Sequence, residues 1–194
     1  MRINICDSCF QAIFSPYVIR MPHFDCIAGG THSKILRKII INAKFHQDPF
    51  STLILEHFLD ETFKDMLTDR QFDVVTCIPS APKHVRRRGI DLPNFLTYRL
   101  ARKRHLKFSH EAIIRKGRKN SQIGLNRQDR FKNIRRSFVC KLDLHDKSIL
   151  VVDDVYTTGA TAEAVAKILL RSGAKNVLFL VLARTPKAIF YEPS

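Results

Sequence analysis

Two adjacent carboxylates, Asp153 and Asp154, follow four apolar residues and precede a turn of small hydroxylated residues in the stretch ILVVDDVYTTGAT, 149–161. Each part of that stretch implies a chemistry. The apolar run reads as a buried strand that ends at the acids. The residues after the turn have helical spacing, and a helix N-terminus offers unpaired N–H groups and positive dipole to an anion. Gly159 permits close backbone approach, and Thr157, Thr158 and Thr161 add hydroxyl donors. The acids would repel a phosphate. They suit the two hydroxyls of a diol, with a Mg²⁺ nearby as the companion ion. Acids for a sugar diol beside a cradle for its phosphate describe a ribose-phosphate site.

The elements around this stretch alternate in type. Helical spacing predicts helices over 33–45, capped by Ser33, and over 51–67. A short β-branched run at 72–78, stopped by Pro79, predicts a buried strand. A helix is expected over 92–104 with Asp91 as cap, a short strand at 112–114, and a long mobile loop over 115–130. Strands at 148–152 and 177–183 flank a helix over 161–171 that Gly173 closes. The last strand is apolar throughout and so buried on both faces. The expected architecture is α/β, an open and mostly parallel sheet flanked by helices, with its ligand site at the carboxyl ends of the strands. Residues 1–32 are expected as an irregular N-terminal segment, and 33–194 as the main domain.

The 149–161 stretch closely resembles the motif by which type I phosphoribosyltransferases bind phosphoribosyl pyrophosphate (PRPP). The resemblance assigns PRPP contacts to Asp153, Asp154, Val155, Tyr156, Thr157, Thr158, Gly159, Ala160 and Thr161. Two further blocks, IPSAPKHVRRRGID at 78–91 and QIGLNRQDRFKNIR at 122–135, resemble the ComF family of competence-associated phosphoribosyltransferase-like proteins. Arg88-Gly89-Ile90-Asp91 departs mildly from that family's Arg-Gly-Phe-Asn-like turn. The resemblance implies a type I phosphoribosyltransferase fold. It also implies a pyrophosphate loop with Ser80, Ala81, Lys83, Arg86 and Arg87, and a closing lid over 122–133. The 6-oxopurine enzymes carry an acid where this chain has Thr157, which disfavours hypoxanthine or guanine salvage. No catalytic residue is assigned.

The net charge is +15, and all of it lies in 83–137, where 18 Lys and Arg face only Asp91, Glu111 and Asp129. Charge concentrated in this way points to a polyanionic partner. Single-stranded DNA fits, with Arg86, Arg87, Arg88, Arg118, Lys119, Arg127 and Arg130 tracking phosphates. Phe95, Tyr98, Phe108, Phe131 and Phe138 interleave with them, although most such aromatics belong to cores.

The five cysteines are odd in number and scattered, which argues against a disulfide framework. Cys77 and Cys140 sit among apolar residues and read as inert. Many ComF-like proteins resemble one another in a four-cysteine zinc knuckle. Here only Cys6-Asp-Ser-Cys9 is present, with Cys26 as a candidate third Zn²⁺ ligand and His23 or His32 as a fourth. A coincidental pair, or a partner pair upstream, are the alternatives.

No apolar run reaches the ~18 residues of a membrane span, and no signal-peptide core opens the chain, so a cytoplasmic protein is expected, with association at the inner face of the membrane as an option. The resemblance implies a role in natural transformation beside a competence helicase and membrane channel proteins. A metabolic transferase acting on a nucleobase or amine, and a PRPP sensor without turnover, are the competing functions.

Overall fold

The two strongest apolar runs of the sequence are neighbours in space. In a computed structural model that describes residues 6–116 and 137–186, they form β6 (Ser148–Tyr156) and β7 (Asn176–Arg184). These strands pair in parallel from Ser148↔Asn176 to Tyr156↔Arg184. Parallel neighbours need a crossover, here the helix α6 (Ala160–Arg171). Ser172 ends that helix, followed by Gly173 at a φ of 94°.

The main sheet has the order β1-β2-β7-β6-β3. It adds β1 (Tyr17–Arg20), β2 (Asp25–Thr31) and β3 (Val74–Cys77). All neighbours are parallel except β1 and β2. One face carries Ile149, Val151, Val177 and Phe179 beneath Val165 and Leu169 of α6. The other face carries Leu150, Val152, Leu178 and Leu180 beneath α2 (Lys34–Phe45), α3 (Pro49–Leu67) and α5 (Leu92–Lys103). The remaining elements are the short helices α1 (Asp7–Gln11) and α4 (Pro82–Arg88) and a separate pair of strands, β4 (Ile114–Arg115) and β5 (Phe138–Val139).

The strongest departure from expectation is at the N-terminus. Residues 17–31 are a hairpin, and β2 runs parallel to β7 from Asp25↔Leu178 to Thr31↔Arg184. The 32/33 boundary therefore does not separate an appendage from the domain. Only the stretch before β1 remains outside the sheet, and it too is docked: Ile13 is buried, and Phe10 and Phe14 lie 5.9 and 5.5 Å from the Phe58 ring. The sequence DCIAGGT hides this strand because its two glycines and small residues read as loop. A Cβ at Gly29 would stand 2.4 Å from the Phe58 ring and 2.5 Å from Thr62 Oγ1, so the bare backbone is what lets α3 lie on β2.

Smaller departures have local causes. Helix α3 starts at Pro49 because Asp48 caps it, accepting from the Ser51 amide at 2.9 Å, and proline suits the first helical position. In α2 it is Leu36, Ile40 and Ala43 that are buried, while Ile35 is exposed. Arg115 belongs to β4, not to a loop. The expected loop beyond Lys116 and the whole of the expected lid, 122–133, lie outside the described residues, as do Arg118, Lys119, Arg127, Arg130 and Phe131.

Candidate functional site at the carboxyl edge of the sheet

Strand β6 does not end at the acids. It continues to Tyr156, because β7 pairs with it that far and the Thr185 amide donates to the Tyr156 carbonyl at 2.9 Å. Strand β3 stops earlier, its last registered pair being Cys77↔Val152. Asp153 is thus the first residue of β6 beyond the β3 edge.

Adjacent residues of a strand point to opposite faces, and the acids divide accordingly. Asp153 lines a cavity of about 40 Å³ on the α6 side, together with Tyr156, Thr157, Gly159 and Thr161. Asp154 forms an ion pair with Lys44 from the last turn of α2. The Asp154 amide donates to Asp153 Oδ1 at 2.9 Å. Burial, and after it the charge of Asp154, push the Asp153 carboxyl well above the ordinary carboxylate range.

Gly159 precedes α6 with a φ of 79°, a left-handed conformation that glycine adopts freely. The group that approaches it is internal, because a Cβ at Gly159 would lie 2.2 Å from the Tyr156 hydroxyl. Thr157 and Thr158 are exposed, and Ala160 and Thr161 begin the helix. The loop and the Asp153 side of the acid pair therefore share one small concavity. Its helix N-terminus and hydroxyls suit an anion, and its carboxylate suits a hydroxyl donor.

The 78–91 segment leaves β3 at this edge, where the Ile78 amide donates to the Val152 carbonyl at 3.1 Å, and Asp91 closes it on itself. Its carboxylate accepts from the Ser80 hydroxyl at 2.8 Å and the Ser80 amide at 3.3 Å. Asp91 was expected to cap α5, but it makes no side-chain cap there and ties down the loop instead. Ala81 precedes α4, with Pro82 in its first turn. Lys83, Arg86 and Arg87 are exposed. Arg88 turns inward: its guanidinium stacks 4.3 Å from the Phe45 ring centre, and its carbonyl accepts from Gln47. Burial, followed by the charges of Arg88, Lys83, Arg87 and Arg115, holds the His84 pKa below its ordinary value.

The residue that sequence reasoning missed is Lys44, and His32, expected only as an alternative zinc ligand, stands near it. His32 follows β2, donates its amide to the Arg184 carbonyl at 2.9 Å, and has its pKa lowered by burial, Arg37 and Lys44. Lys44 reads from sequence as the cation that complements the C-terminal dipole of α2, and nothing in its neighbours announces an acid so far along the chain.

Part of the basic block is spent internally. Lys103 at the end of α5 and Arg104 just after it hold the buried Asp60 of α3 at 2.6 and 2.7 Å, and Arg99 pairs with Glu56 at 2.9 Å. Of the aromatics, Phe138 is buried beside Arg115, Phe95 packs on the core, and Tyr98 is exposed edge-on to Phe108.

A fold of this type implies Mg²⁺. Such an ion wants several hard oxygens in one place, but Asp154 is already neutralised by Lys44 and the two carboxylates leave the strand on opposite faces. The acid pair as folded does not fit a cation held by the protein alone. Zinc fares no better. Cys6 and Cys9 are exposed and joined, the Cys9 amide donating to Cys6 Sγ at 3.4 Å. Cys26 is fully buried in β2, where burial pushes its thiol up to about 12. His23 lies against Glu163 and His32 beside Lys44. No group of three metal-binding side chains comes together among the described residues. Cys26 is thus corrected from ligand to core residue. Cys77 is an inert core thiol as expected, raised to about 12 by burial.

A family model described as the phosphoribosyl transferase domain matches residues 85–190, more than half of the chain. The chain belongs to this family. The sheet order and the acid-bearing β6 are the frame of its type I fold. DNA utilization protein YhgH of Escherichia coli O157:H7 is 33% identical over 58% of this chain and 50% of its own length. Competence protein ComFC of Streptococcus pneumoniae is 28% identical over 79% of this chain and 66% of that protein. Competence protein F of Haemophilus influenzae is 27% identical over 80% and 70%. The chain spans about half the length of the Escherichia coli relatives it matches. Within the phosphoribosyl transferase domain family it is a ComF-type, phosphoribosyltransferase-like protein. No helix among the described residues is long and apolar enough to cross a membrane.

Proposed function

We propose that this protein binds PRPP at the 151–161 loop and handles incoming single-stranded DNA during natural transformation, at the cytoplasmic face of the membrane. The observation that carries the proposal is the meeting of three features at one sheet edge. These are the acids of β6, the N-terminus of α6, and the 78–91 segment that the Ile78 amide joins to β6. The names of the competence relatives support the cellular role.

In this proposal the 5′-phosphate sits on the first amides of α6 with Thr157, Thr158 and Thr161. The ribose hydroxyls donate to Asp153, which lines that concavity, and to Asp154 at the side of the strand that β3 leaves open. The pyrophosphate lies toward Lys83, Arg86 and Arg87, and Ser80 exchanges its bond to Asp91 for one to the ligand. The same exposed cations track the DNA backbone, since guanidinium groups bind phosphate oxygens in pairs. Arg88, committed to Phe45, is left out of that set. The test is transformation by the organism that encodes this chain, with Asp153→Asn/Asp154→Asn in place of the parent. Uptake of marked DNA should fall at least tenfold with growth unchanged, and an unaltered transformation frequency would refute the role.

A further inference from the structure

We propose that Lys44 supplies at Asp154 the positive charge that a divalent cation would otherwise bring, so that a ribose phosphate binds here without a metal held by the protein. The inference rests on the reading of Asp153 and Asp154 as the ribose subsite. It goes beyond that reading by naming the charge that completes the subsite.

The ion pair between Lys44 Nζ and Asp154 Oδ2 is largely shielded, with the two side chains 17% and 15% exposed. Salt screens such a pair far less than a surface pair. The ammonium is delivered by a rigid element: Lys44 follows Ala43, which is fully buried, and Leu36 and Ile40 fix the same helix to the sheet. A helix anchored in the core holds a side chain more closely than a loop does.

The pair discriminates between two kinds of visitor. A carboxylate has about four lone-pair sites, and Lys44 uses Oδ2, so a sugar hydroxyl can donate to the remaining acceptor sites of Asp154 with Lys44 in place. A divalent cation at those same sites would be repelled by the adjacent Lys44 ammonium unless it displaced it, and removing one partner of a shielded pair leaves the other charge unpaired at high cost. The surroundings add to the asymmetry. Arg37 also acts on His32 beside Lys44, and Arg184 stands on the neighbouring strand at Tyr156↔Arg184. The edge is therefore already furnished with fixed positive charge. Lys44 acts as a positioning residue through Asp154 and takes no part in bond making.

Ribose 5-phosphate is the probe of choice, because it lacks the pyrophosphate that chelates Mg²⁺ itself. Its binding is measured by calorimetry in EDTA and in Mg²⁺, with the parent, Lys44→Met and Lys44→Arg, and melting curves report folding. The parent is expected to change its affinity less than about threefold between buffers. Lys44→Met should weaken at least tenfold in EDTA and recover most of that in Mg²⁺, whereas Lys44→Arg should behave as the parent. Parent binding that vanishes in EDTA overturns the inference, as does a Lys44→Met protein with the parent's ratio. If the parent binds no ribose 5-phosphate in either buffer the inference also fails, and a PRPP titration of the same sample then shows whether the site assignment survives it. Should Lys44→Met fail to fold, the parent's response to EDTA alone decides.

Discussion

Gly159 and Tyr156 are so close that a Cβ on the glycine would stand 2.2 Å from the tyrosine hydroxyl, while the glycine itself holds a φ of 79°. The loop between β6 and α6 is therefore stabilised from within its own sequence. Gly159→Ala combines left-handed strain with a clash and should cost roughly 2–4 kcal/mol. Adding Tyr156→Phe should recover part of the loss, because it removes the nearest atom and leaves the ring carbon 2.7 Å away. Chemical denaturation of the parent, the single variant and the double variant checks this. A double variant no more stable than Gly159→Ala would remove Tyr156 from the account.

Asp153 gives the fold a pH dependence of definite sign. Burial and Asp154 raise its carboxyl in the folded state, so the native protein holds that proton to higher pH than the unfolded chain. The stability from this group is full below the ordinary carboxylate value of ~4 and is lost as pH rises toward the raised folded value. Asp153→Asn abolishes the titration. Melting temperatures from about pH 4 upward should fall less steeply in the variant than in the parent, and equal slopes would contradict the assignment.

Asp60 is a buried acid in α3 held by two cations at the C-terminal end of α5, Lys103 at 2.6 Å and the capping Arg104 at 2.7 Å. Arg104→Ala leaves that carboxylate with Lys103 alone. Because stripping a partner from a buried charge is expensive, a loss of about 3 kcal/mol is expected, read by urea unfolding. A loss below about 1 kcal/mol would mean that Lys103 suffices.

The exposed and committed arginines of α4 should separate experimentally. Arg86 and Arg87 are exposed, Arg87 reaching the Phe45 ring only at 5.9 Å, whereas Arg88 stacks 4.3 Å from its centre. If the first two each meet a phosphate of single-stranded DNA, replacing both by Ala should reduce the slope of log affinity against log salt by about 1.4. Arg88→Ala should instead lower the melting temperature and leave that slope nearly unchanged. Fluorescence anisotropy with a labelled oligonucleotide across a salt series measures both, and an unchanged slope in the double variant would exclude α4 as a DNA contact.

The legibility of this chain in its sequence follows a physical divide. Local signals were sufficient for β6, α6 and β7, where apolar runs, a glycine stop and a helical stripe agree, and the acid-bearing loop falls where its residues indicate. The β1–β2 hairpin was not legible, because Gly29 and Gly30 are small for the sake of Phe58 and Ile13, partners far along the chain or outside the strand. Strand β6 outran its apolar run for a similar reason, since pairing with β7 carries it through two charged residues. Lys44 and Asp91 were missed or given another role because their partners, Asp154 and Ser80, are fixed by tertiary packing. The basic block was visible as a charge excess, but only the fold shows that Lys103, Arg104, Arg99 and Arg88 are engaged inside the protein.

The claim on which the rest depends is that the carboxyl edge at Asp153 and Asp154 binds PRPP. Calorimetric titration of PRPP into the parent and into Asp153→Asn/Asp154→Asn tests it directly, in Mg²⁺ and in EDTA, with both proteins shown to be folded. The account predicts saturable one-site binding to the parent and at least a hundredfold weaker binding to the variant. Equal binding by both proteins would contradict it.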